Sequence, residues 1–254
     1  TRSGIGCHNS FLTAPLSHFL MLNIKQISAT IERVDTYSED LKVFRLKLPE
    51  DNSFSFVPGQ FVMASLPGLV DKNGRKIAKS FSIASSAAET GSVELCIARF
   101  PTGALSVPLF KKLVGDEVII TGPYGLFNLK RPVQPGTVFM AGGTGLAPLM
   151  SMLRSLYSEG FNHQLWLFYS VSEPRKFMFK DELLGFQKNN SLQMVVSTSN
   201  GNSDWKWEKG RVTDTFPSCL QQLQLDGVPN ESRQFYVCGP PVMVADTIGM
   251  LLKL

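Results

Sequence analysis

The chain has 254 residues, of which 43% are apolar and 18% charged, enough apolar material for one large core or two of ordinary size. The net charge of +4 comes without a run of like charges, which argues against a nucleic-acid groove, and no apolar stretch is long enough to span a bilayer. The four cysteines, Cys7, Cys96, Cys219 and Cys238, contain no Cys-x-x-Cys pair, so they indicate no zinc site, disulfide framework or plant-type iron-sulfur cluster, and their free thiols point to the cytoplasm.

Residues 1–20 lack the basic start and continuous apolar stretch of a secretion signal and show no sustained period. They read as a tail or an artificial extension, with Met21 a natural start. Two of the three histidines, His8 and His18, lie there, so a site centred on histidine is disfavoured.

From residue 21 to about residue 131 the pattern is that of strands. Residues 27–35, 41–48, 60–66, 79–86, 92–100 and 116–122 are short, rich in β-branched and aromatic side chains, and often alternating. Turn-forming stretches such as "PEDNS", "DKNG" and "AAETG" separate them. Six antiparallel strands at this spacing predict a small Greek-key β-barrel, whose closure removes exposed edges.

After the Pro- and Gly-rich connection "LKRPVQPG" the texture changes, and residues 132–254 form a second domain. Apolar strands at 137–141, 164–170, 192–199 and 234–239 alternate with amphipathic helices at 146–160, 176–188 and 241–254. That order predicts an α/β domain with a parallel sheet and right-handed crossovers.

The first strand of this half runs into "GGTGLAP". Gly143 and Gly145 permit a close backbone turn, and Pro148 suits the first turn of a helix. Amides and the helix dipole then face outward at the carboxyl edge of the sheet, where a diphosphate binds. Pro148 stands where the dinucleotide fingerprint has its third glycine, and no acid follows about twenty residues on, so an ordinary strand-to-helix turn stays open. A second corner, "YVCGPPVM", ends the last strand on the same edge. Cys238 there is either a cleft-rim residue or a buried structural thiol.

Taken together, "KSFS", "GALS", "GPYG", "GGTGLAP" and "CGPPVM" occur in the order and approximate spacing of the ferredoxin-NADP reductase superfamily, which the chain resembles from about Ile24 to Leu254. The resemblance places that family's Arg-x-Tyr-Ser pattern on Lys79, Ser80, Phe81 and Ser82. It implies that Lys79 meets a flavin phosphate without the bidentate fork of arginine, that Phe81 stacks on the flavin, and that Ser82 hydrogen-bonds near its reacting nitrogen. Gly103, Ala104, Leu105 and Ser106 would open a short helix whose amides bind the flavin phosphate, and Arg99 would add a second charge or simply lie on the surface.

By the same resemblance, Gly143, Thr144 and Gly145 receive the diphosphate of a nicotinamide nucleotide. Cys238, Gly239 and Pro240 border the place where nicotinamide and flavin meet. The implied function is an NAD(P)H-dependent flavoprotein reductase with Ser82 and Cys238 as candidate catalytic residues. Electrons would leave for a separate acceptor: a ferredoxin, an oxygenase component or free flavin. Alternatives are the electron-entry flavin subunit of a larger redox complex, and a non-catalytic nucleotide-binding module, which the departures at Lys79 and Phe81 keep open.

FAD is expected, with FMN the alternative. Ser172 and Glu173 after the second strand, and Thr198 after the third, favour NADH, whereas Arg175 and Lys176 keep NADPH open. No metal site is expected. Many family members continue into a further strand whose terminal aromatic covers the flavin, so either this chain is truncated or its flavin face is open.

Overall fold

The computed structural model describes residues 24–50, 54–189, 192–201, 203–211, 213–217, 227–229 and 232–253. The expected tail at 1–20, with Cys7, His8 and His18, lies outside the described residues, as does Cys219.

The first half is an antiparallel sheet of six strands: β1 (Lys25–Ser38), β2 (Leu41–Lys47), β3 (Phe61–Val70), β4 (Lys76–Ser82), β5 (Ser92–Ala98) and β6 (Glu117–Tyr124). Their spatial order is β4-β3-β6-β1-β2-β5. Just beyond β4, Ile83 bridges Leu95 of β5, so the two outer strands meet and the sheet curls into a barrel. Alternation is the cause of this shape: Ile27, Ala29 and Ile31 of β1 point inward while Ser28, Thr30 and Glu32 point to solvent. A four-residue helix, α1 (Ser106–Leu109), lies between β5 and β6.

The hairpin of β3 and β4 reaches further than alternation indicated. Strand β4 starts at Lys76 because the Asp71 carboxylate accepts from the Asn73 and Arg75 amides at 2.8 and 2.9 Å, and Gly74 adopts φ +75°. That is side-chain turn chemistry, invisible to a period count.

The second half is a parallel sheet of β7 (Val138–Gly142), β8 (Leu165–Val171), β9 (Leu192–Thr198), β10 (Glu208–Lys209) and β11 (Phe235–Cys238), in the order β10-β9-β8-β7-β11. Helices α2 (Leu146–Ser158), α3 (Lys180–Lys188) and α4 (Pro241–Leu251) accompany it. Strand β10, with two residues, is too short to show a period. All five residues of β7 are buried, as expected for a central strand covered on both faces.

The chain leaves β7 for β8 on one side and returns to it as β11 on the other. The crevice for a ligand in such a sheet lies at the carboxyl ends where that reversal occurs, here between Gly142 and Cys238. One core joins the halves, with Leu41, Val43 and Cys96 of the barrel packed in the same cluster as Phe139, Leu149 and Met152.

Candidate functional site

A cavity of about 620 Å³ opens between the barrel and the carboxyl edge of the parallel sheet, within the ordinary range for small-molecule sites. Ser80, Phe81 and Ser82 line it from the barrel. These residues pair with Met63, Val62 and Phe61 of β3, and no described strand pairs with them on the other side. Their second edge therefore leaves backbone groups for a polar ligand. Phe81 is half-buried and also packs on the barrel core.

From the sheet come Gly143, Thr144, Gly145, Ser172, Cys238, Gly239 and Pro240. The glycines of this wall have different causes. A Cβ on Gly145 would stand 2.3 Å from the Cys238 carbonyl oxygen, and one on Gly142 would stand 2.5 Å from Met243 Sδ. Both glycines thus let the two corners interlock. Gly143 alone of the three has φ in the left-handed region, +52°, and a Cβ there would meet nothing within 4 Å. It is the glycine of the three that faces open space.

The remaining expected residues do not line this cavity. Lys79 is exposed, and Arg99 lies 5.9 Å from the centroid of the Phe110 ring. Leu105 is in the barrel core, and Ala104 is exposed. The Ser106 hydroxyl accepts from the Phe100 amide at 3.3 Å, and a Cβ on Gly103 would stand 2.1 Å from that hydroxyl. The Gly-x-x-Ser spacing therefore builds its own turn, which abuts the cavity through Phe100.

Asp40, Cys96 and Phe100 also line the cavity and were not singled out as site residues from the sequence, and Lys176, read there only as a cation that keeps NADPH open, lines it with them. Lys176 Nζ lies 2.8 Å from Asp40 Oδ2, and its hydrogen bond holds that carboxyl below the usual carboxylate range. Nothing in the sequence pairs two residues 136 positions apart. Burial pushes the thiols of Cys96 and Cys238 up, so both are neutral at physiological pH.

A second cavity, about 450 Å³, shares Gly142, Gly143, Val171, Ser172 and Pro240 with the first, and continues to Ser199, Arg211 and Asp246. The Thr198 side chain is fully buried and does not reach it. Glu173 is held by Arg175 at 2.7 Å and by Lys176 at 3.5 Å. The two cavities adjoin at the glycine corner.

The lining holds hydroxyls, glycine amides, two thiols and a carboxylate paired with a lysine, a set suited to holding and orienting flat polar molecules. The unpaired edge at Ser80–Ser82 and the open space at Gly143 fit a flavin on the barrel side and a nucleotide on the sheet side. Among the described residues there is no cluster of three or more metal-ligating side chains, and no helix is long and apolar enough to cross a membrane.

Comparison with known proteins bears on the same two halves. The model of the oxidoreductase FAD-binding domain matches residues 28–129, and that of the oxidoreductase NAD-binding domain matches residues 139–248. The chain is 33% identical over 220 residues to the toluate 1,2-dioxygenase electron transfer component of Pseudomonas putida, covering 85% of this chain and 60% of that protein. It is 29% identical over 236 residues to the reductase component of propane 2-monooxygenase from Rhodococcus jostii (strain RHA1), covering 90% and 60%. The chain thus spans about 60% of the length of these curated relatives. Among solved structures, the ferredoxin reductase in carbazole 1,9a-dioxygenase superimposes with a TM-score of 0.76 at 25% identity, over 91% of this chain and 66% of that one.

Proposed function

Since the chain belongs to the ferredoxin reductase-like superfamily, with an oxidoreductase FAD-binding domain ahead of an oxidoreductase NAD-binding domain, we propose that it moves a hydride from a nicotinamide nucleotide to FAD and passes electrons to a separate acceptor. The acceptor would be an oxygenase component, a ferredoxin or free flavin, in keeping with the reductase and electron-transfer components that it resembles. The observation that carries this reading is that Ser80–Ser82 and the Gly143–Gly145 and Cys238–Pro240 corners face one cavity.

In this reading residues 21–131 hold the flavin and residues 132–254 the nucleotide, in the cytoplasm, where free thiols such as Cys96 and Cys238 persist. The flavin, when bound, supplies the chemistry of accepting two electrons as a hydride and releasing them singly or in pairs. The protein's part is positional. Phe81 offers a flat apolar surface, and Ser82 offers a hydroxyl at the reacting edge. Gly143 leaves space for the diphosphate, while Cys238 and Gly239 exclude water at the meeting point of the rings. Lys79, Arg99 and the turn at Gly103–Ser106 would receive the flavin's phosphates beyond the cavity wall.

NADH is the proposed donor. Arg175 is held by Glu173, and Lys176 by Glu173 and Asp40, so both cations that would favour a 2′-phosphate are already engaged. Arg211 in the second cavity is accompanied there by Asp246. The absorbance spectrum tests the whole reading. Protein reconstituted with FAD is expected to show a flavin band that NADH bleaches without oxygen, faster than NADPH does. Colourless protein indifferent to added flavin would support the non-catalytic alternative, and equal or faster bleaching by NADPH would overturn the donor choice.

A further inference from the structure

Helix α2 begins at the glycine corner, and its third turn grips the barrel. Arg154 on that turn has 15% of its side chain exposed. Its Nη1 donates to the Ala84 carbonyl at 2.9 Å and to Glu94 Oε2 at 2.6 Å, while Nε and Nη2 fork onto the Glu182 carboxylate of α3 at 2.7 and 2.6 Å. The guanidinium also lies over the Phe179 ring, 4.6 Å from its centroid. The next residue, Ser155, accepts from the Ala87 amide at 3.0 Å.

These contacts are close to the cavity in sequence as well as in space. Ala84 follows Ser82 by two residues, and Glu94 precedes Cys96 by two, and both Ser82 and Cys96 line the cavity. Glu94 is only 2% exposed and also meets Arg33 and Arg45 at 3.0 and 3.4 Å, so its carboxylate is anchored in the barrel from the far side. An α-helix is a stiff rod rising about 1.5 Å per residue. A grip on one end of α2 therefore sets where its other end, the glycine corner, stands relative to β4. A buried cluster of this kind is weak evidence for added stability, since hydrophobic replacement of such clusters is often neutral. Its geometric effect is specific.

We infer that Arg154 is a positioning residue: by tying α2 to Ala84 and Glu94 it sets the separation between the nucleotide corner and Ser80–Ser82, and hence the approach of the two cofactor rings. This inference rests on the reading of the site given above. A displacement of about 1 Å in such an approach lowers a rate on the order of 100-fold.

The test compares the full chain, reconstituted with FAD, with its Arg154→Met and Arg154→Lys variants. The Met variant is expected to keep its affinity for FAD and nucleotide but to reduce flavin roughly 10- to 100-fold more slowly at saturating nucleotide. It should also lose the long-wavelength absorbance of nucleotide stacked on flavin, and exchange the Ala87 amide faster even without cofactors. The Lys variant keeps a charge beside Glu94 without the fork, and its rate should fall between the two. A Met variant with the wild-type rate and absorbance, or one whose defect disappears at high nucleotide concentration, overturns the inference. Should the Met variant fail to fold, the Lys variant decides on the same criteria. Wild-type protein that neither NADH nor NADPH reduces refutes the functional reading and the role in ring approach with it, while exchange at Ala87 still reports the tie between the halves.

Discussion

Lys176 Nζ and Asp40 Oδ2 stand 2.8 Å apart at the lip of the larger cavity, joining the turn after β8 to the turn between β1 and β2. Together with Arg154 and Glu94, this pair makes two ionic ties between barrel and sheet, one at the mouth of the cleft and one behind it. The pair at the mouth is the more exposed, and its consequences are the more easily read by titration.

The Lys176 hydrogen bond depresses the Asp40 carboxyl from its ordinary 3.8. A carboxylate whose folded value is depressed stabilises the protein at pH above the ordinary value, and that contribution disappears as pH falls through the folded value. Because Asp40 is 46% exposed, the contribution is small, less than about 1 kcal/mol. Asp40→Asn is therefore expected to lower the melting temperature slightly at neutral pH, and the difference from wild type should close as the carboxyl protonates. Melting curves of both proteins across that range check it, and a deficit that persists in acid would contradict the ion-pair account.

Gly145 and Gly143 should respond differently to alanine. The new methyl at Gly145 meets the Cys238 carbonyl at 2.3 Å, a clash with backbone that forces the two corners apart. Overpacking of this kind costs about 1–3 kcal/mol, so Gly145→Ala should lose thermal stability as well as nucleotide affinity. At Gly143 the methyl points into open space, with a backbone strain of about 1–2 kcal/mol from φ +52°. Its larger effect should fall on nucleotide binding. Thermal unfolding measured beside nucleotide titration separates the two, and a Gly145→Ala protein as stable as wild type would remove the interlock.

Ser82 lines the cavity at the end of β4 and is only half-buried, so removing its hydroxyl should leave the barrel intact. A single hydrogen bond at the reacting ring is worth about 1 kcal/mol, or roughly fivefold in rate. Ser82→Ala is expected to slow flavin reduction by that factor with unchanged melting temperature. Stopped-flow reduction under anaerobic conditions measures it, and unchanged kinetics would move the hydroxyl away from the flavin.

Much of the architecture was legible because it is periodic. The alternation at 27–35 and the short apolar run at 137–141 were read as strands, and β1 and β7 stand there, with Ile27, Ala29 and Ile31 turned inward and all five residues of β7 buried. The two glycine-containing corners were legible as strand ends, and both stand where expected, at the carboxyl edge between β7 and β11. The site was less complete. Lys79, Arg99 and Gly103–Ser106 fall outside the main cavity, and the Gly103 and Ser106 pairing is explained by a local turn.

The linear order of residue types by itself determined most of the longer strands and helices and the two corners that need glycine, since those choices depend on neighbours a few positions away. Only the tertiary structure decided that Asp40 meets Lys176 across 136 positions, that Arg154 meets Glu94 across 60, and that Gly145 is small for the sake of Cys238. A lone charged residue reads as solvated surface until the partner that desolvates it is brought alongside, and no local pattern records which distant segment will do so.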